Sequence, residues 1–160
     1  MKTIILMLLM SLTALAEQQI SLFGVTIHGG ATDPDMTNKL DDSGRAVFNP
    51  QINYMNINED GRVLLHAAFL KDCYGHGAGF IAYGKRYKVD ERLYLGLEIG
   101  VYARQVPRDD NDDLHRMMRY GLYQVLPSPA LIMQYKIAER IVIRAQSNFL
   151  INFFDVAWAF

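Results

Sequence analysis

The sequence predicts an all-β fold, a transmembrane antiparallel up-and-down barrel of eight strands, from three observations. The chain opens with a stretch typical of a secretory signal peptide. Residues 92–104 alternate strictly between aliphatic and polar side chains, and the chain ends on an aromatic residue that closes a second alternating stretch. Alternation with period two is the pattern of a strand that has one apolar face.

Length and charge limit the possible functions. The chain has 160 residues, which suits one domain, and its 16 basic and 17 acidic residues give a net charge of −1. A nucleic-acid-binding protein would need a basic surface, so this class is excluded. The single cysteine, Cys73, cannot form a disulfide within the chain.

The first residues have the three parts of a signal peptide. Lys2 supplies the basic region, an apolar run begins at Ile4, and Ala14 and Ala16 form a small-residue cleavage site. We expect cleavage after Ala16, which leaves residues 17–160 as the barrel domain. The apolar run is too short for a spanning helix; the alternative is a buried N-terminal helix.

Residues 92–104, "RLYLGLEIGVYAR", carry the clearest strand pattern. The aliphatic face holds Leu93, Leu95, Leu97, Ile99, Val101 and Ala103, and the opposite face holds Arg92, Tyr94, Gly96, Glu98, Gly100, Tyr102 and Arg104. Strands of soluble sandwiches average about half this length. A strand of this length is typical of a bilayer crossing, with the apolar face toward lipid and the polar face toward the interior.

The C-terminal stretch has the same design. Phe154, Val156, Trp158 and Phe160 alternate with Asp155, Ala157 and Ala159. A terminal phenylalanine that closes an amphipathic strand is similar to the sequence read by the outer-membrane barrel assembly machinery. We therefore predict that machinery as a partner and the Gram-negative outer membrane as the location.

Eight strands account for most of the chain. They are predicted at residues 19–28, 46–57, 61–72, 78–88, 91–104, 119–137 (broken by prolines), 140–148 and 152–160. The joins at 58–61, 88–91 and 138–140 are short, whereas 29–45 and 105–118 are long and polar. Alternating short and long joins are typical of bacterial barrels with periplasmic turns and outer loops.

This topology gathers polar side chains at the outer rim. Strands 1, 3 and 5 run outward and end at His28, at Asp72–Cys73 and at Arg104. Strand parity puts His28 on the inner face. An imidazole, a carboxylate, a thiol and a guanidinium at one rim could perform acyl transfer. Equally, they could be rim side chains that only hold the loops.

Several stretches resemble the lipid A palmitoyltransferase family of outer-membrane barrels. They are "VTIH" (25–28), "FLKDC" (69–73), "YG" (83–84), "LGLEIGVYAR" (95–104), "LPSPALIMQY" (126–135) and "VAWAF" (156–160). The resemblance covers most of residues 61–160 and is carried by the order of the motifs more than by any one of them. Two departures stand out: the family's helix before strand 1 is missing, and a cysteine occupies the position of a serine.

The resemblance implies an activity and a site. Family members move a palmitoyl chain from a phospholipid donor to lipid A, without a cofactor. His28, Asp72 and Cys73 match the family's catalytic histidine, aspartate and serine. Gly84 matches the glycine at the floor of the acyl pocket, and Tyr83 and Arg104 are the further substrate-binding candidates.

The role of Cys73 stays open on sequence grounds. It could be a nucleophile, a polar substitute for serine, or a small side chain that fills space. With His76 it forms only half of a zinc signature, so no metal is predicted. The rival function is a non-enzymatic small barrel with a structural, adhesive or lipid-binding role.

Overall fold

The chain forms one antiparallel β-sheet that closes on itself. The computed structural model describes residues 17–28, 46–71, 77–105, 119–148 and 151–160. The predicted signal peptide, the loop at 29–45 and most of the loop at 105–118 lie outside these ranges. None of the described residues forms a helix long and apolar enough to cross a membrane.

Nine strands are present in the described ranges, and one of them is very short. They are β1 Glu17–His28, β2 Ala46–Ile57, β3 Arg62–Lys71, β4 Gly77–Lys88, β5 Leu93–Gln105, β6 Arg119–Tyr120, β7 Tyr123–Ala138, β8 Ile141–Ser147 and β9 Ile151–Ala159. Neighbouring strands pair in sequence order, except that β5 pairs with β7 and the two-residue β6 adds only to β7. β9 pairs with β1, so eight long strands close the barrel and the predicted fold is confirmed.

The three joins that connect β2 to β3, β4 to β5 and β7 to β8 lie at one rim, which we call the lower rim. In the first of them, Gly61 has φ +77°, and the Asn58 side chain accepts a hydrogen bond from the Arg62 backbone. In the second, the Asp90 carboxylate accepts hydrogen bonds from the backbone N–H groups of Arg92 and Leu93, which hold the pKa of Asp90 below its usual range. Both turns are stabilised locally by side-chain caps.

The two faces of the sheet differ in polarity as predicted. The outer face of β5 exposes Leu95, Leu97, Ile99 and Val101, and that of β9 exposes Phe154, Val156 and Trp158. The inner face buries polar side chains, among them Gln19, Gln51, Asn53, His66, Arg86, Glu98, Gln134, Arg144 and Asp155. An apolar exterior around a polar interior is the reverse of a soluble protein and the pattern of a transmembrane barrel.

A bulge in β1 changes which residues face inward. The register of β1 shifts between Ser21 and Phe23. Below the shift the odd-numbered Gln19 and Ser21 are buried, whereas above it the even-numbered Gly24 and Thr26 are buried. A bulge inserts one residue and so exchanges the faces of the strand beyond it.

The prediction that prolines break the sixth long strand is wrong. β7 runs without interruption through Pro127 and Pro129, which pair with Val101 and Ile99 of β5. β8 joins β7 only from Leu131 onward. Between Gln124 and Leu131, β7 pairs on that side with no strand in the described part of the chain. The proline nitrogens can face this open side, so the missing N–H groups cost no ladder hydrogen bond.

We expect proline to be tolerated in β7 only along the open segment. Pro129→Ala should leave stability almost unchanged, whereas Met133→Pro should destabilise the barrel by several kcal/mol. Residue 133 has the same parity as residue 129 but lies opposite Ala145 of β8, so the substitution removes a ladder hydrogen bond away from water. Urea unfolding of the refolded variants in detergent micelles measures the free energy of unfolding of each. Equal effects of the two substitutions would contradict this account of β7.

Candidate functional site

The strands that lead to the predicted catalytic residues run toward the upper rim, opposite the lower rim. β1 ends at His28, and β3 ends at Lys71, one residue before Asp72. β2 lies between these strands, and its pairings put Leu70 level with Gln51, and Phe23 level with Pro50. The end of β3 is therefore two strand spacings across from β1 and about five residues below His28, which makes the two strand ends about 20 Å apart. The side chain of His28 and the whole of Asp72 and Cys73 lie outside the described residues. Their shared role in catalysis stays a prediction.

The three predicted substrate-binding residues do not lie together. Arg104 is near the upper end of β5, where its Nε donates to Gln124 Oε1 at 2.8 Å. Tyr83 is on the outer face and 65% exposed. Gly84 faces inward opposite Glu98, seven residues below the upper end of β4, which is about 23 Å along the strand.

The interior instead contains a network of polar side chains centred on Asp155. The Asp155 carboxylate accepts hydrogen bonds from Arg144 Nε at 2.7 Å and Arg144 Nη2 at 2.5 Å. It also accepts from Gln51 Nε2 and Asn53 Nδ2, each at 3.0 Å. Arg144 and Asp155 are both 5% exposed. A buried carboxylate with this many donors is fully paired, as a charge away from water must be.

His66 links this centre to a second carboxylate. Its Nε2 lies 2.9 Å from Asn53 Oδ1, and its Nδ1 lies 2.8 Å from Glu98 Oε2. Because Asn53 Nδ2 donates to Asp155, its Oδ1 must be the atom that accepts from His66 Nε2. The His66 ring also packs edge-on against Phe80, with centroids 5.1 Å apart. We call this set, residues 51, 53, 66, 98, 144 and 155, the upper layer.

A second polar cluster, the lower layer, lies near the lower rim. The Glu17 carboxylate accepts from Arg86 at 2.6 Å and from Lys136 at 3.2 Å. Arg86 also donates to Gln134, and its guanidinium carbon lies 4.4 Å from the centroid of the Tyr94 ring. These contacts join β1, β4, β5 and β7 across the barrel. The lower layer therefore includes β1, β4 and β7, which contribute no residue to the upper layer.

The network has the chemistry of a structural core. Its charges are paired with one another, and among the described residues the hydrogen-bond partners of His66 are Glu98 and Asn53. Between the layers, a cavity of about 10 Å³ touches Asn53, Met55, His66, Gln134, Arg144 and Asp155. This space suits a single water. Within the described ranges no three His, Cys, Asp or Glu side chains are grouped to hold a metal ion.

Sequence reasoning identified only part of this network. The predicted strand at 61–72 contains His66, which the structure buries on the inner face. Glu98 and Asp155 were assigned to the polar faces of their strands, but their partners were not found. The sequence feature that could have indicated these partners is a charged residue at an inward position of a strand. Such a charge needs a partner across the interior.

Gly84 makes room for Glu98. A Cβ at position 84 would lie 2.8 Å from the Cα and Cγ of Glu98 and closer still to the Leu97 carbonyl oxygen. Gly96 and Gly100 on β5 likewise lie against the backbone of β4. In the described structure the space beside Gly84 is therefore filled by a side chain of the upper layer.

Comparison with known proteins adds little. The chain matches no family model and no curated protein. Among solved structures it is similar to Ail, the attachment invasion locus protein of Yersinia pestis, crystallised with the heparin analogue sucrose octasulfate. The identity is 14% and the TM-score 0.41, over 91% of this chain and 99% of that chain.

We expect the upper layer to depend on the Arg144–Asp155 pair. Asp155→Asn leaves the Arg144 charge buried without its counterion, and should lower the free energy of unfolding by about 3 kcal/mol or more. The double variant Arg144→Met, Asp155→Leu removes both charges and should recover most of that loss. Urea unfolding in micelles gives the free energy of unfolding of the single and the double variant. A double variant less stable than Asp155→Asn would contradict the explanation from unpaired charge.

A methyl group at position 84 should be poorly tolerated. Gly84→Ala brings the Cβ against Leu97 and Glu98, and overpacking of this kind typically costs about 1–3 kcal/mol. Gly77→Ala is the matched control, because the nearest atom to its Cβ would be Gln105 Oε1 at 3.7 Å. The urea midpoint of the control should stay near that of the unmodified chain. If the urea midpoint of Gly84→Ala also stays near that of the unmodified chain, position 84 has free space, as an acyl pocket would require.

Proposed function

We propose that this chain is a small, non-enzymatic barrel of the Gram-negative outer membrane. The single observation that carries the proposal is the reversed polarity of the sheet, with an apolar exterior and paired charges inside. Its role would be structural, adhesive or lipid-binding, and the loops at the upper rim would provide the contacts. Delivery would require the predicted signal peptide, and insertion the barrel assembly machinery.

The exterior supports a membrane location. Large apolar side chains are exposed on all eight long strands, including Phe23, Phe48, Phe69, Ile81, Leu97, Leu131, Ile143 and Trp158. Soluble monomers rarely expose a continuous apolar patch of more than a few hundred Å². Strands of seven to 16 residues with mainly apolar outward faces would aggregate in water but suit a bilayer.

The interior supports a non-enzymatic role. An acyl chain in the barrel needs an apolar channel of several hundred Å³. The two polar layers instead join side chains from opposite walls, and the cavity between them has room for about one water. Removing partners to admit an acyl chain would leave buried charges unpaired. The same layers argue against an open channel, as expected for a barrel of eight strands.

Acyl transfer from a phospholipid to lipid A is the second candidate. The observation in its favour is that β1 and β3, which lead into the resembled catalytic residues, run toward the same rim. Arg104 of β5 is also near that rim. The reaction would then take place above the upper layer, with His28 as the base. This candidate does not need the interior below His66 to open.

Two measurements on one pair of bacterial strains test these proposals. The chain should be recovered in the outer-membrane fraction and run faster on gels before heating than after, as folded barrels do. Lipid A mass spectra from cells with and without the protein should be identical under the non-enzymatic proposal. An added acyl chain that disappears with His28→Ala would reverse the order of the two candidates. Recovery in the soluble fraction would reject both.

A further inference from the structure

Two cations lie side by side on the outer face of the barrel, near the lower rim. Arg62 is the first residue of β3, and its partner across the β3–β4 ladder is Lys85. Both side chains are exposed. They share the outer face with Leu64 on β3 and with Tyr83 and Tyr87 on β4, which are 49%, 65% and 59% exposed.

Neither cation has an acidic partner in the part of the chain that the structure describes. Among the described residues, the ion pairs use Arg86, Lys136, Arg144 and His66, and none involves Arg62 or Lys85. The Lys85 ammonium lies 5.3 Å from the centroid of the Tyr87 ring. Like charges at directly opposite positions of an antiparallel pair destabilise the sheet. An anion from outside the chain, bound between the two cations, would remove this repulsion.

The surroundings specify where that anion lies. On the side away from Arg62, Lys85 is opposite Leu97 of β5, which is 61% exposed. Tyr83 is above Lys85 on the same strand, and Lys85 is three residues, about 10 Å, from the end of β4. A cation between apolar and aromatic neighbours at this height can extend its ammonium toward the headgroups. An anion held there would sit at the boundary between hydrocarbon and water.

We propose that Arg62 and Lys85 form a binding site for the phosphate of an anionic phospholipid in the leaflet at the lower rim. This inference rests on the proposed membrane location. The Arg62 guanidinium can hold two phosphate oxygens at once, and the Lys85 ammonium adds a point charge. Tyr83 and Tyr87 flank the site at the depth where aromatic side chains are enriched. Basic residues near a membrane surface attract anionic lipids in this way.

Native mass spectrometry of the folded full-length chain in detergent tests the site. The probes are phosphatidylglycerol and phosphatidylcholine with identical acyl chains, since both carry a phosphate but only the first is anionic. The unmodified chain should retain phosphatidylglycerol preferentially. The variant Arg62→Gln, Lys85→Gln should lose about tenfold or more of that preference. The control Lys88→Gln, Arg140→Gln removes two other exposed lower-rim cations and should keep it.

The outcomes separate this inference from the proposed function. Equal retention of the two lipids by the unmodified chain, or equal loss in both double variants, would overturn the site. Displacement of the lipid by the same concentration of inorganic phosphate would overturn its assignment to a lipid headgroup. Flotation with phosphatidylcholine vesicles and heat-modifiable gel mobility test the membrane location independently. A chain that inserts but shows no lipid preference refutes only the site.

Discussion

Closure of the sheet is the constraint on which the other features depend. Backbone groups that face hydrocarbon have no water to bond, so strands must pair on both sides where they cross it. In the described ranges β7 departs from this rule on one side, between Gln124 and Leu131. The β9–β1 and β5–β7 pairings supply the two contacts that complete the circle. Once it is complete, inward side chains are removed from solvent, and those that carry charge must find partners within the barrel. The upper and lower layers are the result.

The two layers connect different sets of strands across the interior of the barrel. In the upper layer, Asp155 and Glu98 are carboxylates on β9 and β5, which are not neighbours in the sheet, and His66 and Asn53 connect them. In the lower layer, Glu17 connects β1 to Arg86 on β4 and Lys136 on β7. These contacts cross the interior, where strand pairing cannot act. They fix the shape of the cross-section as well as its closure.

An interior filled in this way limits where function can be located. Ligands can reach the two rims, the loops and the outer face, but the middle of the barrel is occupied. The proposed lipid site on the outer face and the candidate acyl-transfer residues at the upper rim are consistent with this division. They use opposite ends of the molecule, so each can be present without the other.

The sequence by itself determined the strands and their faces. Period-two alternation predicted the bounds of β2 to the residue and the outward faces of β5 and β9, because a strand crossing a bilayer has a face in lipid along its length. The continuity of β7 was missed, since whether a proline breaks a strand depends on the side that its nitrogen faces. The partners of Glu98, His66 and Asp155, and the neighbours of Gly84, were decided only by the tertiary structure. They come from strands far apart in sequence, and the bulge in β1 and the pairing register bring them to one level.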